Sequence, residues 1–394
     1  MPQILEGIRV VDFGRFIAAP YAAMMLADFG ADVVRVERRE GGEDRGVGPV
    51  TELGEGGLFL NVNRNKRGMT LDLAHPQAGE IVTRLVQNAD VVIVNLPLNV
   101  MKKLRLDYAS LRAVNEGIIL VMASTFGPDG PYRDRVGFDG VAQAMSGAMS
   151  LTGFPEAPVR SVVPWADYGT ALHAAFGAMA ALYHREQTGQ GQLIDVSLLA
   201  TSAMFMTPLV MERAMRGIRR QRIGNTAYFT APNDAYRTRD GWVLVPTIGD
   251  PMFARWARLM GREDLIADPR LHDDISRADH ADVINEVLIA WCAARTRDEA
   301  IAELERARIP CGPIYELDEV LSDPQVCARG LYQESTRQDG VESGTVSPPA
   351  VRMSETPGSV RRRAPTLGEH TDEVLAELGF AASEIAGFRS EGVV

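Results

Sequence analysis

Gly7–Glu37 reads GIRVVDFGRFIAAPYAAMMLADFGADVVRVE. Gly7–Phe13 has the continuous β-branched character of a strand buried on both faces, Pro20–Phe29 is a helix with proline in its first turn, and Ala31–Glu37 is a second strand. Strand, helix and strand within about thirty residues form a βαβ unit. The alternation continues with helix Gln77–Ala89, strand Asp90–Asn95, helix Leu104–Val114, strand Ile118–Ser124 and helix Gly140–Met149. It predicts an α/β fold whose large domain is doubly wound and Rossmann-like, with ligands at the carboxyl ends of the strands. The first turn, DFGRFIAAPY, contains only Gly14, so it is neither a G-x-G-x-x-G dinucleotide loop nor a P-loop, and a phosphate-bearing ligand would depend on side chains.

Downstream, Val159–Gln192 passes through Ala166-Asp167-Tyr168-Gly169 into a segment dominated by Ala, Leu, Phe and Met. Its small residues leave almost no polar face, which predicts a helix buried against other backbone and stopped by Gly189 and Gly191. Asp167 then sits at a helix N-terminus, where free N–H groups and the macrodipole favour the ionised carboxylate. From these residues alone it is either a helix cap or a reactive carboxylate.

The 394 residues are 46% hydrophobic and 24% charged, an ordinary globular composition. The net charge of -11 argues against a general nucleic-acid binder. A basic cluster nevertheless gathers in the first hundred or so residues: Arg35, Arg38, Arg39 and Arg45, Arg64 with Lys66 and Arg67, and Lys102 with Lys103 and Arg105. It reads either as a solvated surface or as a site for phosphate. The cysteines Cys292, Cys311 and Cys327 have no metal-type spacing and read as free thiols, and no metal site is expected. No signal segment or membrane span is apparent, so a cytoplasmic protein with no membrane contact is expected.

After Gln192 a strand leads into helices, the second of them Met206–Arg220. Tyr228–Pro246 reads as a hairpin turning at Asp240-Gly241, followed by helices Met252–Met260, His280–Ala294 and Arg297–Ala307. The expected division is a large domain over 1–205, a linker over 206–224, a small α+β domain over 225–321 and a return linker over 322–334. Residues 335–394 complete the large domain, and the last helix, Thr371–Leu378, docks on it.

Five stretches in order carry a resemblance: DFGRFIAAPYAAMMLADFGADVVRVERREGGEDR, NVNRNKRGMTLDL, FGPDGPY, GFDGVAQAMSGAMSLTG and WADYGTALHAAFGAMAALYHREQTGQGQLIDVSL. With DAYRTRDGWV in the small domain, the whole chain resembles the class III coenzyme A transferases, the formyl-CoA transferase group. The resemblance implies an interlocked homodimer that takes acyl-CoA and a carboxylic acid as substrates, with no tightly bound cofactor. It places the nucleophile at Asp167, an acidic neighbour at Asp139, and CoA contacts at Arg38, Asn95 and Lys103. Bound at a helix end, the Asp167 carboxylate would attack a thioester and pass through an anhydride to an aspartyl-CoA thioester, with helix N–H groups offered to the oxyanions.

Two departures stand out. Ile17 occupies a position that is polar in formyl-CoA transferases, and TIGDPMF lacks their run of glycines, which implies a larger acyl group, such as a dicarboxylic or branched-chain acid. The alternative function is an acyl-CoA racemase or isomerase of the same fold, which needs a His and Asp pair across the α-carbon; here the residue before Asp139 is Phe138, which transfers no proton. A non-catalytic CoA-binding protein is the third reading.

Overall fold

The computed structural model describes residues 3–48, 50–52, 54–336 and 343–394. Six strands, β1 (Arg9–Asp12), β2 (Asp32–Glu37), β3 (Lys66–Thr70), β4 (Val91–Val94), β5 (Ile119–Ser124) and β6 (Leu193–Ser197), form one sheet. Every pair is parallel and the spatial order is β3-β2-β1-β4-β5-β6, the α/β sheet that the alternation predicts. Chain order reverses direction between β1 and β4, which opens a crevice at their carboxyl ends.

Alternate residues of each strand feed two cores. Val11, Val34 and Val92 face one side, with helix Ala78–Gln87 and the C-terminal Leu375, Phe380 and Val393. Val10, Val33 and Val91 face the other, against α1 (Ala18–Asp28) and its alanines. Strand β3 escapes the sequence reading because NKRGMT carries charges where a buried strand is apolar. Those charges are internal. Lys66 is 0% exposed, and its ammonium donates to Asp12 Oδ2 (2.7 Å), Pro20 O (2.8 Å) and Asn63 Oδ1 (2.9 Å). Arg35, 1% exposed, grips both oxygens of Asp44 at 3.1 and 3.0 Å, Arg64 pairs with Asp28 at 2.6 Å and Arg67 with Asp32 at 2.6 Å. These four members of the basic cluster are thus neither a solvated surface nor a phosphate site, because each buried cation has its own carboxylate. Burial pulls the Lys66 ammonium down to about 8 against the opposing pull of Asp12.

A helix not expected from the sequence, α2 (Leu98–Lys103), ends before Arg105, which takes φ 56°, and the expected helix Leu104–Val114 is the shorter α3 (Tyr108–Val114), which starts where Asp107 accepts Ser110 N at 3.2 Å. Helices α4 (Asp139–Met145), α5 (Trp165–Thr188) and α6 (Leu198–Arg216) follow, and the expected Met206–Arg220 helix is the second half of α6, stopped by Gly217 at φ 70°. Close approach is built into α5: a Cβ on Gly169 would lie 2.8 Å from the Phe205 ring of α6, and one on Gly177 2.8 Å from Ile194 of β6. Another face of α5 is open, with Phe176 75% and Tyr183 70% exposed.

The chain divides into two compact units, 1–148 with 161–218 and 326–394, and 149–160 with 219–325. The second holds the hairpin, Asn233–Arg237 against Trp242–Pro246, with Gly312–Pro313 on its edge, around a core of Trp256, Phe253, Leu288 and Cys292. The connector after Ser322, read as loops, contains helix Pro324–Arg329 and a ladder of Gln333–Thr336 with Ser343–Val346; 337–342 lie outside the described residues. Cys292 and Cys311 are free thiols, as expected. No helix among the described residues is long and apolar enough to cross a membrane.

Replacing Lys66 strands the Asp12 charge in the sheet. Lys66→Met should lower the unfolding free energy by about 3–5 kcal/mol in denaturant titration, whereas Lys102→Met on the exposed face of α2 should change it by less than about 0.5 kcal/mol.

Candidate active site

A cavity of about 410 Å³ opens at the carboxyl ends of β1, β4 and β5. Its walls come from 15–18 after β1, 95–99 after β4, 122–128 at the end of β5, the loop 133–138, and Asp167 and Leu198. That is the crevice where the order reverses, and its size falls in the roughly 300–1,000 Å³ range of small-molecule sites.

Asp167 is the third residue of α5 and stands half-buried in this wall. It does not cap the helix. Asp139 does, from the first turn of α4: its Oδ1 accepts Ala166 N at 2.8 Å and Asp167 N at 3.2 Å. Trp165 N and Tyr168 N donate to Val163 O and Pro164 O at 2.8 and 3.1 Å, so all four leading N–H groups of α5 are occupied. The expectations that the helix end keeps Asp167 ionised and lends N–H groups to oxyanions therefore both fail. Burial, and then the charge of Asp139, raise the Asp167 carboxyl from its ordinary 3.8 to about 7.

Asp139 itself is buried and does not line the cavity. Its Oδ2 accepts Gln143 Nε2 at 2.5 Å, and Gln143 Oε1 accepts Ser161 N at 3.1 Å, which ties the approach to α5 onto α4. Phe138, the residue before it, presents its ring to the cavity edge-on to Phe16, centroids 5.6 Å apart. Phe16 holds the left-handed φ of 63°, uncommon for a bulky side chain. Three contacts impose it: Asp44 Oδ2 accepts Phe16 N at 3.2 Å, Asn95 Oδ1 accepts Arg15 N at 2.9 Å, and Asn95 Nδ2 donates to Arg15 O at 2.7 Å.

Asn95 thus lines the cavity and also locks the loop after β1. Ile17, 7% exposed, supplies the apolar wall expected of it. Arg38 and Lys103 are not brought to the cavity: Arg38 donates to Gly41 O at 2.7 Å and pairs with Glu43 at 3.0 Å, and Lys103 ends α2 in solvent. Sequence reasoning missed Arg15, Phe16, Phe126 and Arg135. Only the turn residues of FGPDGPY signal a loop there, and nothing in the sequence marks Phe16 for a left-handed turn. Among the described residues no group of His, Cys, Asp and Glu side chains is placed to hold a metal ion.

The profile of CoA-transferase family III matches residues 5–371. The chain is 36% identical over 396 residues to the beta subunit of succinyl-CoA–L-malate CoA-transferase of Chloroflexus aurantiacus, covering 99% of this chain and 98% of that one. It is also 36% identical over 382 residues to succinate–glutarate CoA-transferase of Agrobacterium fabrum, covering 95% of each. The crystal structure of a CAIB/BAIF family protein from Brucella suis superposes with a TM-score of 0.85 at 33% identity, over 96% of this chain and 100% of that one. A parallel α/β sheet, a carboxylate in the crevice at its strand ends and similarity along nearly the full chain lead to one conclusion: this is an enzyme of CoA-transferase family III, with acyl-CoA as substrate.

Proposed function

We propose that the enzyme moves CoA from succinyl-CoA to a short dicarboxylic acid through covalent intermediates on Asp167. The observation that carries this reading is a carboxyl raised to about 7 on the wall of a cavity at the strand ends. Such a carboxylate is more basic than an ordinary aspartate and about half ionised at neutral pH, so an attacking form is available. Similarity to transferases named for succinyl-CoA with L-malate and for succinate with glutarate supports the choice of acids.

In the reaction, an Asp167 oxygen bonds to the thioester carbonyl carbon and the C–S bond breaks, leaving an aspartyl-succinyl anhydride and CoA thiolate. The thiolate attacks the aspartyl carbonyl, forming the aspartyl-CoA thioester and releasing succinate. The acceptor carboxylate displaces the thiolate to form a second anhydride, and the thiolate attacks the acceptor's carbonyl, which frees Asp167 as the carboxylate. No proton is gained or lost over the cycle. Asp139 acts as a positioning residue, holding the end of α5 and adding its charge to the burial that raises the Asp167 pKa. Arg38 and Lys103, off the cavity, serve the nucleotide end of CoA, and Asn95 serves the thiol end. A racemase reading finds no support at Phe138, which has no proton to exchange.

We also read the protein as a cytoplasmic, interlocked homodimer, with the two compact units as its CoA-binding and smaller domains. The large apolar side chains on the outer face of α5 and α6, among them Phe176, Tyr183 and Met215 at 75, 70 and 76% exposed, support a partner there. Light scattering should give twice the chain mass of 43.0 kDa, and a monomer would contradict the dimer.

Because the attacking form is the carboxylate, kcat/KM should fall as pH drops through about 7, and Asp139→Asn, which removes the neighbouring charge and leaves the burial, should move that limb to lower pH. An unmoved limb would dissociate Asp139 from the nucleophile. Asp167→Asn should abolish CoA exchange. It should also stabilise the fold: the raised native pKa means the native state holds its proton where the unfolded chain has lost it, so the wild type loses stability as pH rises from about 4 to about 7. The gap between Asp167→Asn and wild type in unfolding free energy should therefore widen by about 2 kcal/mol between pH 5 and pH 8.

A further inference from the structure

Three guanidinium groups reach the cavity wall, and they are not equivalent. Arg15 is paired with Glu43, and Arg133 with Asp134 at 3.2 Å. Arg135 has no carboxylate partner among the described residues, and its guanidinium lies over the Tyr132 ring, 3.9 Å from the centroid. A stacked guanidinium keeps its N–H donors in the plane parallel to the ring and directs them outward, where they match the two oxygens of a carboxylate.

The support for that stack is built in. Tyr132 meets Phe126, itself in the cavity wall, edge-on at 5.8 Å. Arg135 N donates to Tyr132 O at 2.9 Å, closing a turn that holds stack and side chain together. On either side the loop is fastened to the end of β5: Thr125 Oγ1 donates to Gly137 O at 2.7 Å, and Ser124 Oγ accepts Gly127 N at 2.9 Å. Gly137 is confined as well, since a Cβ there would lie 2.6 Å from Thr125 Cγ2. Elsewhere the wall offers Ile17, Met122, Phe138 and Leu198, which suit a methylene chain.

We propose that Arg135 is an anion subsite for the distal carboxylate of an ω-carboxyacyl group, so that the enzyme selects thioesters of dicarboxylic acids over monocarboxylic acyl groups of equal length. The proposal rests on the reading of this cavity as the acyl site beside Asp167 and adds the residue that recognises the far end of the substrate. The rival role for Arg135, a contact to a CoA phosphate, predicts something different, because the phosphates are common to every CoA thioester.

The test compares succinyl-CoA with butyryl-CoA, which has the same chain length and no distal charge, in the first half-reaction, read as the rate of CoA-enzyme adduct formation by intact-mass spectrometry. Wild type should react faster with succinyl-CoA. Arg135→Gln should slow succinyl-CoA by roughly 10–100-fold, the value of a charge-assisted hydrogen bond, and leave butyryl-CoA within about threefold. The butyryl-CoA rate certifies that the variant is folded, and Arg135→Lys, keeping the charge without the fork, should fall between. Equal losses with both donors, no loss with either, or a wild type indifferent to the distal carboxylate would each overturn the subsite. A wild type that forms no adduct with either donor would instead remove the Asp167 reading, and this one with it.

Discussion

The carboxyl end of β1 is held by buried charge, and the cavity depends on it. Asp12 lies between the Lys66 ammonium and Gly14 N, while Arg35 spans from Asp44 to Gly14 O. Asp44 in turn accepts Phe16 N. One network therefore reaches from the middle of the sheet to the residue that walls the cavity. Buried ion pairs are weak devices for net stability, because desolvation offsets most of their attraction. Their contribution here is geometric: each donor has few places to go, so the loop 14–17 has one conformation, including a left-handed Phe16 that an isolated loop would avoid.

A second carboxylate performs a related task at α5. By accepting the N–H groups of Ala166 and Asp167, Asp139 anchors the helix that carries Asp167, and by standing beside it makes ionisation of Asp167 harder. Positioning, and the part of the basicity that burial does not supply, thus come from one residue. The helix dipole, which would lower the pKa of a terminal carboxylate, is spent on Asp139, whose oxygen occupies the place a capping side chain would take. Asp167 is left half-buried, facing the cavity, with the higher basicity that suits attack on a thioester carbon.

How much of this is legible in the amino-acid order varies by element. GIRVVDF, ADVVRVE, DVVIVN and IILVMAS announce buried parallel strands because each run is continuously apolar over a strand's length, and the sheet contains all four. NKRGMT does not, since its lysine and arginine are tolerable in a buried strand only when carboxylates from other elements meet them. The Leu104–Val114 stretch keeps helical periodicity, yet Arg105 breaks it with a left-handed turn that no local residue preference requires. Asp167 and Phe138 could be singled out through family resemblance, whereas Arg135 could not, because its meaning lies in a missing partner and a stack on Tyr132.

By itself the sequence determined the strand-helix alternation, the small-residue face of α5 and the residue types available for chemistry, all of which are encoded within a few residues of one another. Tertiary structure decided which carboxylate caps and which faces the cavity. The Asp139 and Asp167 side chains are both aspartates in the first turns of helices, and only the packing of α4 against α5 gives one the free N–H groups and leaves the other in the cavity, with its charge disfavoured by burial and by its neighbour.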